Sequence, residues 1–292
     1  MDKTFSAWIA VGVFSLGLAL GASSVNAEPK LVWETEGFAG PESVVLDDTA
    51  GVLYLSNVNG KPTEANGKGY ISKLSRDGEI LEKEWVSGLN APKGLGLRDG
   101  TLYAADINQV AEIDIKTGKI LKTHEAPGAT FLNDVTVHKD GRVFVSDMLD
   151  NQIWVFEDGT LSLWLDSKEL DHPNGLLAEK DRLVVASWGK PKEDFSTDVP
   201  GRLSTVDYTT KKIERLGDEP VGNLDGVEPD GKGGFLVTDW FNGGLYRFAP
   251  DGSAKKLLDL NKGSADLLVT DGGTLAIIPM MLDNKVSAYK VQ

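Results

Sequence analysis

The sequence predicts an all-β fold, a six-bladed β-propeller, and three observations support it. A similar six-residue phrase occurs six times, at successive spacings of 51, 40, 41, 51 and 41 residues. Turn residues and short apolar strands follow each phrase, and no segment after residue 27 has a clear helical period. A repeat of about 40 residues built from short strands is typical of propellers, in which each repeat forms one blade.

The repeated phrases share an apolar pattern that is interrupted by a polar second residue. They begin at Pro41, Pro92, Leu132, Pro173, Leu224 and Ala265. Their second residues are Glu42, Lys93, Asn133, Asn174, Asp225 and Asp266. Equivalent positions of the blades surround the axis of a propeller, so these side chains are expected to form one polar ring.

Each repeat contains further strands separated by hairpin turns such as Asp158-Gly159. The last repeat ends at Gln292 after only three strands. We expect residues 31–34 to supply its missing fourth strand, because this pairing removes a free sheet edge and closes the ring.

Charge and composition exclude several kinds of partner and site. The 292 residues include 44 acidic and 30 basic residues, which gives a net charge of −14. Nucleic acids and anionic membranes would repel such a chain, so neither is expected as a partner. The sequence has no cysteine, which excludes disulfides, thiolate metal ligands and cysteine nucleophiles.

Residues 1–27 have the pattern of a secretory signal peptide, although a retained N-terminal anchor is the alternative. Lys3 precedes an apolar stretch over 7–20, and Val25 and Ala27 place small residues before Glu28. The propeller domain is therefore expected over residues 28–292. An exported protein without disulfides is expected in a bacterial periplasm, as a monomer or weak oligomer.

Two repeats are longer than the others because of insertions between their second and third strands. The insertions cover Asn57–Gly69 and Trp188–Gly201. They belong to the first and fourth repeats, which are opposite each other in a ring of six. Long loops in compact domains are often functional, so we expect these two to face each other across the mouth of the polar ring.

The ring is a candidate metal site because it brings carboxylates together. Clustered carboxylates repel unless a cation compensates them. Oxygen ligands without His or Cys suit Ca²⁺, Mg²⁺ or Mn²⁺ better than Zn²⁺. Lys93 could pair with a neighbouring carboxylate or hold an anionic substrate. The alternative is that these residues only cap strands and line a hydrated channel.

Four motifs on this repeat resemble the senescence-marker-protein/gluconolactonase family, which includes luciferin-regenerating enzyme and related lactonases. They are Gly-Pro-Glu ending at Glu42, Leu-Asn-Asp around Asn133, Pro-Asn-Gly around Asn174 and Leu-Asp-Gly around Asp225. The resemblance covers nearly all of the mature chain. It implies that Glu42, Asn174 and Asp225 bind a divalent metal, with Asn133 beside it as a ligand or substrate contact.

The resemblance also implies a metal-dependent hydrolysis of lactones or related esters, with Asp225 as the general base. Ca²⁺ is the preferred cation, and Mg²⁺, Mn²⁺ or Zn²⁺ are alternatives. The sequence departs from the sugar-lactone members at Phe131, where they carry an arginine that contacts the sugar. A less polar lactone or ester is therefore expected.

Other candidates for substrate contact are Lys93, Asp266, Trp188 and His172. Trp188, with Trp240 and Phe241, could wall a pocket or belong to the inter-blade core. His172 precedes Asn174 by two residues and could shuttle protons at the mouth, or be an exposed loop histidine.

Two other classes of function compete with the hydrolase. One is a non-catalytic propeller that is stabilised by a metal and binds a ligand or protein at its mouth. The other is a lyase or condensing enzyme like the strictosidine synthases. Neither needs Glu42 and Asp225 together, which favours the hydrolase.

Overall fold

The computed structural model describes Met1 and residues 28–291, and it confirms the six-bladed propeller. Six antiparallel sheets of four strands each surround one axis. The predicted signal peptide, apart from Met1, lies outside the described residues. In the described part of the chain, no helix is long and apolar enough to cross a bilayer.

Each blade runs from an inner strand at the axis to an outer strand at the rim. Blades one to three contain β2 Pro41–Asp47, β3 Val52–Asn57, β4 Gly69–Ser75 and β5 Ile80–Leu89; β6 Pro92–Arg98, β7 Thr101–Asp106, β8 Gln109–Asp114 and β9 Lys119–Glu125; β10 Leu132–Val137, β11 Val143–Asp147, β12 Gln152–Glu157 and β13 Thr160–Asp166.

The remaining blades follow the same order. They contain β14 Pro173–Ala178, β15 Arg182–Ser187, β16 Leu203–Asp207 and β17 Ile213–Leu216; β18 Leu224–Pro229, β19 Phe235–Asp239, β20 Gly244–Phe248 and β21 Ala254–Leu258; β22 Leu268–Thr270, β23 Leu275–Met280, β24 Lys285–Lys290 and β1 Lys30–Glu36. Two short 3₁₀ turns cover Lys168–Leu170 and Met281–Asp283.

The N-terminal strand closes the ring as expected. Strand β1 pairs antiparallel with β24 and forms the outer edge of blade six, with Leu31 opposite Tyr289 and Glu34 opposite Ser287. The Lys285 ammonium lies 3.0 Å from the Glu34 carboxylate across this pairing. The first and last described strands therefore hold each other in one sheet.

The core lies between blades. One apolar cluster joins Tyr103 and Val110 of blade two to Val145 and Phe156 of blade three. Another joins Leu55 of blade one to blade six. Since each sheet buries both faces against its neighbours, the packing fixes the angular position of every inner strand around the axis.

The inner strands share an irregularity at the ring positions. In blades one to five, the register between the first and second strands shifts across the second and third residues of the first strand. A bulge of this kind turns side chains away from the regular alternation. It explains why one polar residue per blade lies among apolar neighbours.

Candidate functional site

Five of the six ring residues meet on the floor of one cavity. Glu42, Lys93, Asn133, Asn174 and Asp225 all line it, and its volume is about 130 Å³. Each is the second residue of its inner strand, and each is at least nine-tenths buried. The bulges therefore bring together five side chains, each of which is 40 to 51 residues from the next in the sequence.

Hydroxyl groups on the second strands support the bulges. Ser56, Ser146 and Thr238 accept hydrogen bonds from the backbone N–H of the third phrase residue at 2.9, 2.9 and 3.0 Å. The Ser146 hydroxyl also donates to the backbone oxygen of Asn174 at 2.7 Å. This last bond links blade three to the ring residue of blade four.

Polar residues at the ends of second strands hold the loops that lead into the ring. The Asp106 carboxylate accepts from Ala91 N at 2.7 Å, and Asp147 accepts from Phe131 N at 3.1 Å. These hydrogen bonds fix the residues immediately before Pro92 and Leu132. They thereby position the inner strands of blades two and three relative to the cavity.

The floor residues contact each other through their polar groups. The Asn133 side-chain amide donates to Oδ1 of Asn174, and Asn174 also donates to the Asp225 carboxylate. Among the described residues, Glu42 Oε2 is buried and has no hydrogen-bond partner. A buried carboxylate oxygen without a partner is costly, and a cation bound to this atom would offset that cost.

Burial and mutual repulsion both act on the floor carboxylates. Burial raises the pKa of Glu42 well above its ordinary value, and the nearby Asp225 charge raises it further against the attraction of Lys93. Burial likewise raises the pKa of Asp225, with repulsion from Asp134 adding to it. A cation bound between these groups would reverse both effects.

Lys93 is the cation of the floor. It is 2% exposed, its Nζ donates to Ala91 O at 3.1 Å, and it lies 4.6 Å from the centre of the Phe131 ring. Burial lowers its pKa to about 8, against the attraction of Glu42, Asp106 and Asp147. A positive charge held against an aromatic face is stabilised by the electrons of the ring.

The walls of the cavity are largely aromatic. Phe131 and Trp188 are buried, and Phe195 lies 6.0 Å from the Phe131 ring and 6.4 Å from the Trp188 ring. Trp240 is 5.7 Å from Trp188. Phe241 packs against this cluster without lining the cavity, so the expected wall includes Trp188 and Trp240 but not Phe241.

Both long loops reach the mouth, as their positions in the sequence predict. Pro62 of the first insertion lines the cavity, as do Asp194 and Phe195 of the second. The Trp188 indole donates to Phe195 O at 3.0 Å, which ties the second loop to the wall.

Two predicted substrate contacts lie away from the cavity lining. Asp266 accepts a 2.6 Å hydrogen bond from Ser43 Oγ, and blade six begins its inner strand only at Leu268. The His172 ring makes a 2.9 Å hydrogen bond with Met148 O. Asp266 is therefore hydrogen-bonded to the inner strand of blade one, and His172 is hydrogen-bonded to the residue that follows β11.

Several lining residues carry no sequence motif. They are Val58, Pro62, Met148, Asp194, Phe195, Lys262 and Met281. The two insertions gave a signal for Val58, Pro62, Asp194 and Phe195. Met148 could have been found from its position directly after the aligned Asp147.

The donor set of the floor fits a hard divalent cation. It combines the orphaned Glu42 oxygen, the Asp225 carboxylate and the Asn174 amide oxygen, and such cations prefer oxygen ligands. In the described part of the chain, no group of three or more His, Cys, Asp or Glu residues could hold a metal. The predicted set has two carboxylates and one amide, so it is not a group of that kind.

A comparison with family models identifies the chain. The model described as the SMP-30/gluconolactonase/LRE-like region matches residues 41–264, which include the inner strands of blades one to five. The chain belongs to this family. The resemblance carried by the four motifs is thereby confirmed.

Solved structures share the fold of this family member at low sequence identity. A gluconolactonase from Xanthomonas campestris is 14% identical, with a TM-score of 0.68 over 88% of this chain and 87% of that one. A virginiamycin B lyase from Staphylococcus aureus with quinupristin is 15% identical, with a TM-score of 0.60 over 91% of this chain and 100% of that one. A comparison with curated proteins found no match.

Proposed function

We propose that this protein is a metal-dependent hydrolase of lactones or related esters. Glu42, Asn174 and Asp225 would hold a divalent cation, Ca²⁺ in preference to Mg²⁺, Mn²⁺ or Zn²⁺, with Asp225 as general base. The observation that carries the proposal is the buried, unpartnered Glu42 oxygen beside Asp225 and Asn174 on the cavity floor. Family membership supports a lactonase-like activity on a small molecule.

Asp225 is suited to take a proton from water. Its carboxylate lines the cavity floor, where it can face a water at the substrate carbonyl, as a general base must. The hydrogen bond from Asn174 orients the carboxylate and keeps one of its oxygens engaged. A bound cation would polarise the lactone carbonyl and stabilise its negative oxygen.

The reaction adds one water across the ring ester bond. The water oxygen bonds to the carbonyl carbon as Asp225 accepts a proton. The bond from that carbon to the ring oxygen then breaks, and the ring oxygen takes a proton to become a hydroxyl. Lys93 contributes a positive charge to the floor, which favours the developing negative oxygen and the carboxylate product.

Proton release from a lactone panel tests this proposal. The protein is assayed with sugar, aliphatic and aromatic lactones in Ca²⁺, Mg²⁺, Mn²⁺, Zn²⁺ or EDTA, and calorimetry measures cation binding separately. Asp225→Asn should abolish turnover, whereas Asp266→Asn, at the aligned position off the cavity, should retain it. Tight cation binding without turnover of any lactone would overturn the hydrolase and favour a metal-stabilised binding propeller.

Export is a separate part of the proposal. Residues 1–27 combine a basic start, an apolar stretch and small residues before Glu28, which supports cleavage by a signal peptidase. N-terminal sequencing of protein from a bacterial periplasmic fraction should give a chain that begins at Glu28. Recovery of the uncleaved chain from the cytoplasm would contradict it.

A further inference from the structure

We infer that the site takes small lactones of about one ring whose non-reacting part is apolar, and that Phe195 selects them. This inference rests on the proposed lactonase function and goes beyond it by naming the substrate class. It concerns the walls of the cavity, whereas the proposed chemistry concerns the floor.

The wall above the floor offers apolar contacts on several sides. Phe131, Met148, Trp188, Phe195 and Trp240 all line the cavity. Phe195 packs against Phe131 and Trp188, and Trp188 packs against Trp240, with ring centres 5.7 to 6.4 Å apart, which is the spacing of packed aromatic groups. A substrate whose ester faces Asp225 must therefore place much of its remaining surface against aromatic carbon.

The polar groups beside the aromatic rings are engaged with the protein. Asp194 accepts hydrogen bonds from Ser196 N and Ser196 Oγ at 3.0 and 2.6 Å, and the Lys262 ammonium lies 3.5 Å from the centre of the Phe241 ring. The Trp188 indole N–H donates to Phe195 O at 3.0 Å. The Asn133 amide contacts Asn174 and lies 3.9 Å from the Met148 sulfur. A sugar hydroxyl buried against the rings of Phe131, Trp188 and Phe195 would lose its water without gaining a partner, and each such hydroxyl weakens binding by about tenfold or more.

The size of the cavity limits the substrate. Its volume is about 130 Å³. An apolar cavity of roughly 150 Å³ in another protein holds one benzene molecule. A single lactone ring with a short substituent matches this space, and a macrocycle or a long acyl chain exceeds it.

Phe195 is held over the cavity in an unusual backbone conformation. Its φ is 63°, a left-handed value that is rare for a bulky residue. Its N–H donates to Lys192 O at 3.0 Å and its carbonyl accepts from Trp188, so both backbone groups are used. Strained residues of this kind occur where a side chain must be aimed, here at the mouth of the site.

A matched pair of substrates tests the inference. δ-Hexalactone and glucono-δ-lactone have the same six-membered lactone ring with a one-carbon substituent at the same position, and they differ by four hydroxyls. We expect a kcat/KM about a hundredfold higher for δ-hexalactone after subtraction of spontaneous hydrolysis, which corresponds to two unpaired hydroxyls. Equal or higher kcat/KM for glucono-δ-lactone would overturn the inference and leave the lactonase function intact.

Phe195→Ala tests the selecting residue, since Phe195 is half-buried on a loop and its loss should leave the blades folded. We expect kcat/KM for δ-hexalactone to fall about tenfold through KM, with little change for glucono-δ-lactone. Phe241→Ala is the control, because this ring joins the same cluster but does not line the cavity. An equal loss for both lactones would refute a selecting role.

Binding separates the two proposals if no lactone is hydrolysed. Saturation-transfer NMR then compares δ-hexalactone with glucono-δ-lactone on the wild-type chain and on Phe195→Ala. If the wild type binds δ-hexalactone preferentially and Phe195→Ala does not, the result would support the ligand class and reject the hydrolase activity. Equal signals for both compounds would overturn the substrate class as well.

Discussion

The buried carboxylates along the axis should make the cation-free protein less stable as the pH rises from about 4 to 7. Burial raises the pKa of Asp134 from 3.8 to about 6, even though the carboxylate accepts hydrogen bonds from Leu176 N and Val135 N. Between these two values the folded state keeps a proton that the unfolded state has released. The free energy of unfolding therefore falls as the pH rises through this window.

The magnitude follows from the size of the pKa change. At about 1.4 kcal/mol for each pH unit, the change from 3.8 to about 6 corresponds to about 3 kcal/mol for Asp134. Asp134→Asn removes this titration and also the repulsion that raises the pKa of Asp225. Both changes flatten the pH dependence, so the comparison uses the pH slope of stability rather than its absolute value. Asparagine also changes one of the two backbone hydrogen bonds, but that effect is the same at every pH.

Urea denaturation in EDTA at several pH values from 4 to 8, followed by tryptophan fluorescence, measures the slope. The wild type should lose at least about 2 kcal/mol more than Asp134→Asn between pH 4 and pH 7, because part of the titration of the unfolded state lies below pH 4. Parallel curves for the two proteins would refute the reasoning. Added Ca²⁺ should raise the stability of the wild type most at high pH, because the carboxylates are then ionised.

Three further predictions test how the site is held. Asp106→Ala should lower the free energy of unfolding by about 3 kcal/mol, because the Ala91 N–H loses a charged acceptor. Asp106→Asn should lower it by less, and urea denaturation compares the two variants. Ser146→Ala should lower the free energy of unfolding by about 1 kcal/mol and weaken Ca²⁺ binding, because the Ser146 hydroxyl positions Asn174. Calorimetry measures the Ca²⁺ affinity, and an unchanged affinity would contradict this role. His172→Ala should keep kcat/KM within about twofold, and a tenfold loss would instead assign a proton shuttle.

The fold was predictable because a propeller repeats its pattern. The six repeated positions from Glu42 to Asp266 set the number of blades. The three strands of the last repeat predicted that residues 31–34 pair with the C-terminal strand, which the pairing of β1 with β24 confirms. Local turn chemistry and strand periodicity are encoded in neighbouring residues, so the sequence alone can indicate them.

The site was predictable only where it follows the repeat. Five ring residues converge because the same bulge occurs in the inner strands of blades one to five. Blade six starts its inner strand at Leu268, after Asp266, and Asp266 does not line the cavity. His172 lies after Asp171 in a turn where both residues have positive φ, which sends its ring to Met148 O. Such turn geometry has no periodic signal.

The glycine after Asn174 shows how the ring couples packing to function. A β-carbon at Gly175 would overlap the backbone carbonyl oxygen of Asp225 in the neighbouring inner strand. Gly175→Ala should therefore push this strand outward, lower stability by about 3 kcal/mol and weaken Ca²⁺ binding, because Asp225 moves with its backbone.

Gly96→Ala is the matched control for this close approach. It adds the same methyl group to an inner strand, but it meets a side-chain methyl of Val135 at 2.8 Å, which can shift more easily than backbone. We expect Gly96→Ala to lower the free energy of unfolding by about 1 kcal/mol and to leave the Ca²⁺ affinity unchanged. Calorimetry at a temperature where both variants are folded measures the affinity. If Gly175→Ala bound Ca²⁺ as tightly as Gly96→Ala, Asp225 would not depend on this backbone contact for its position.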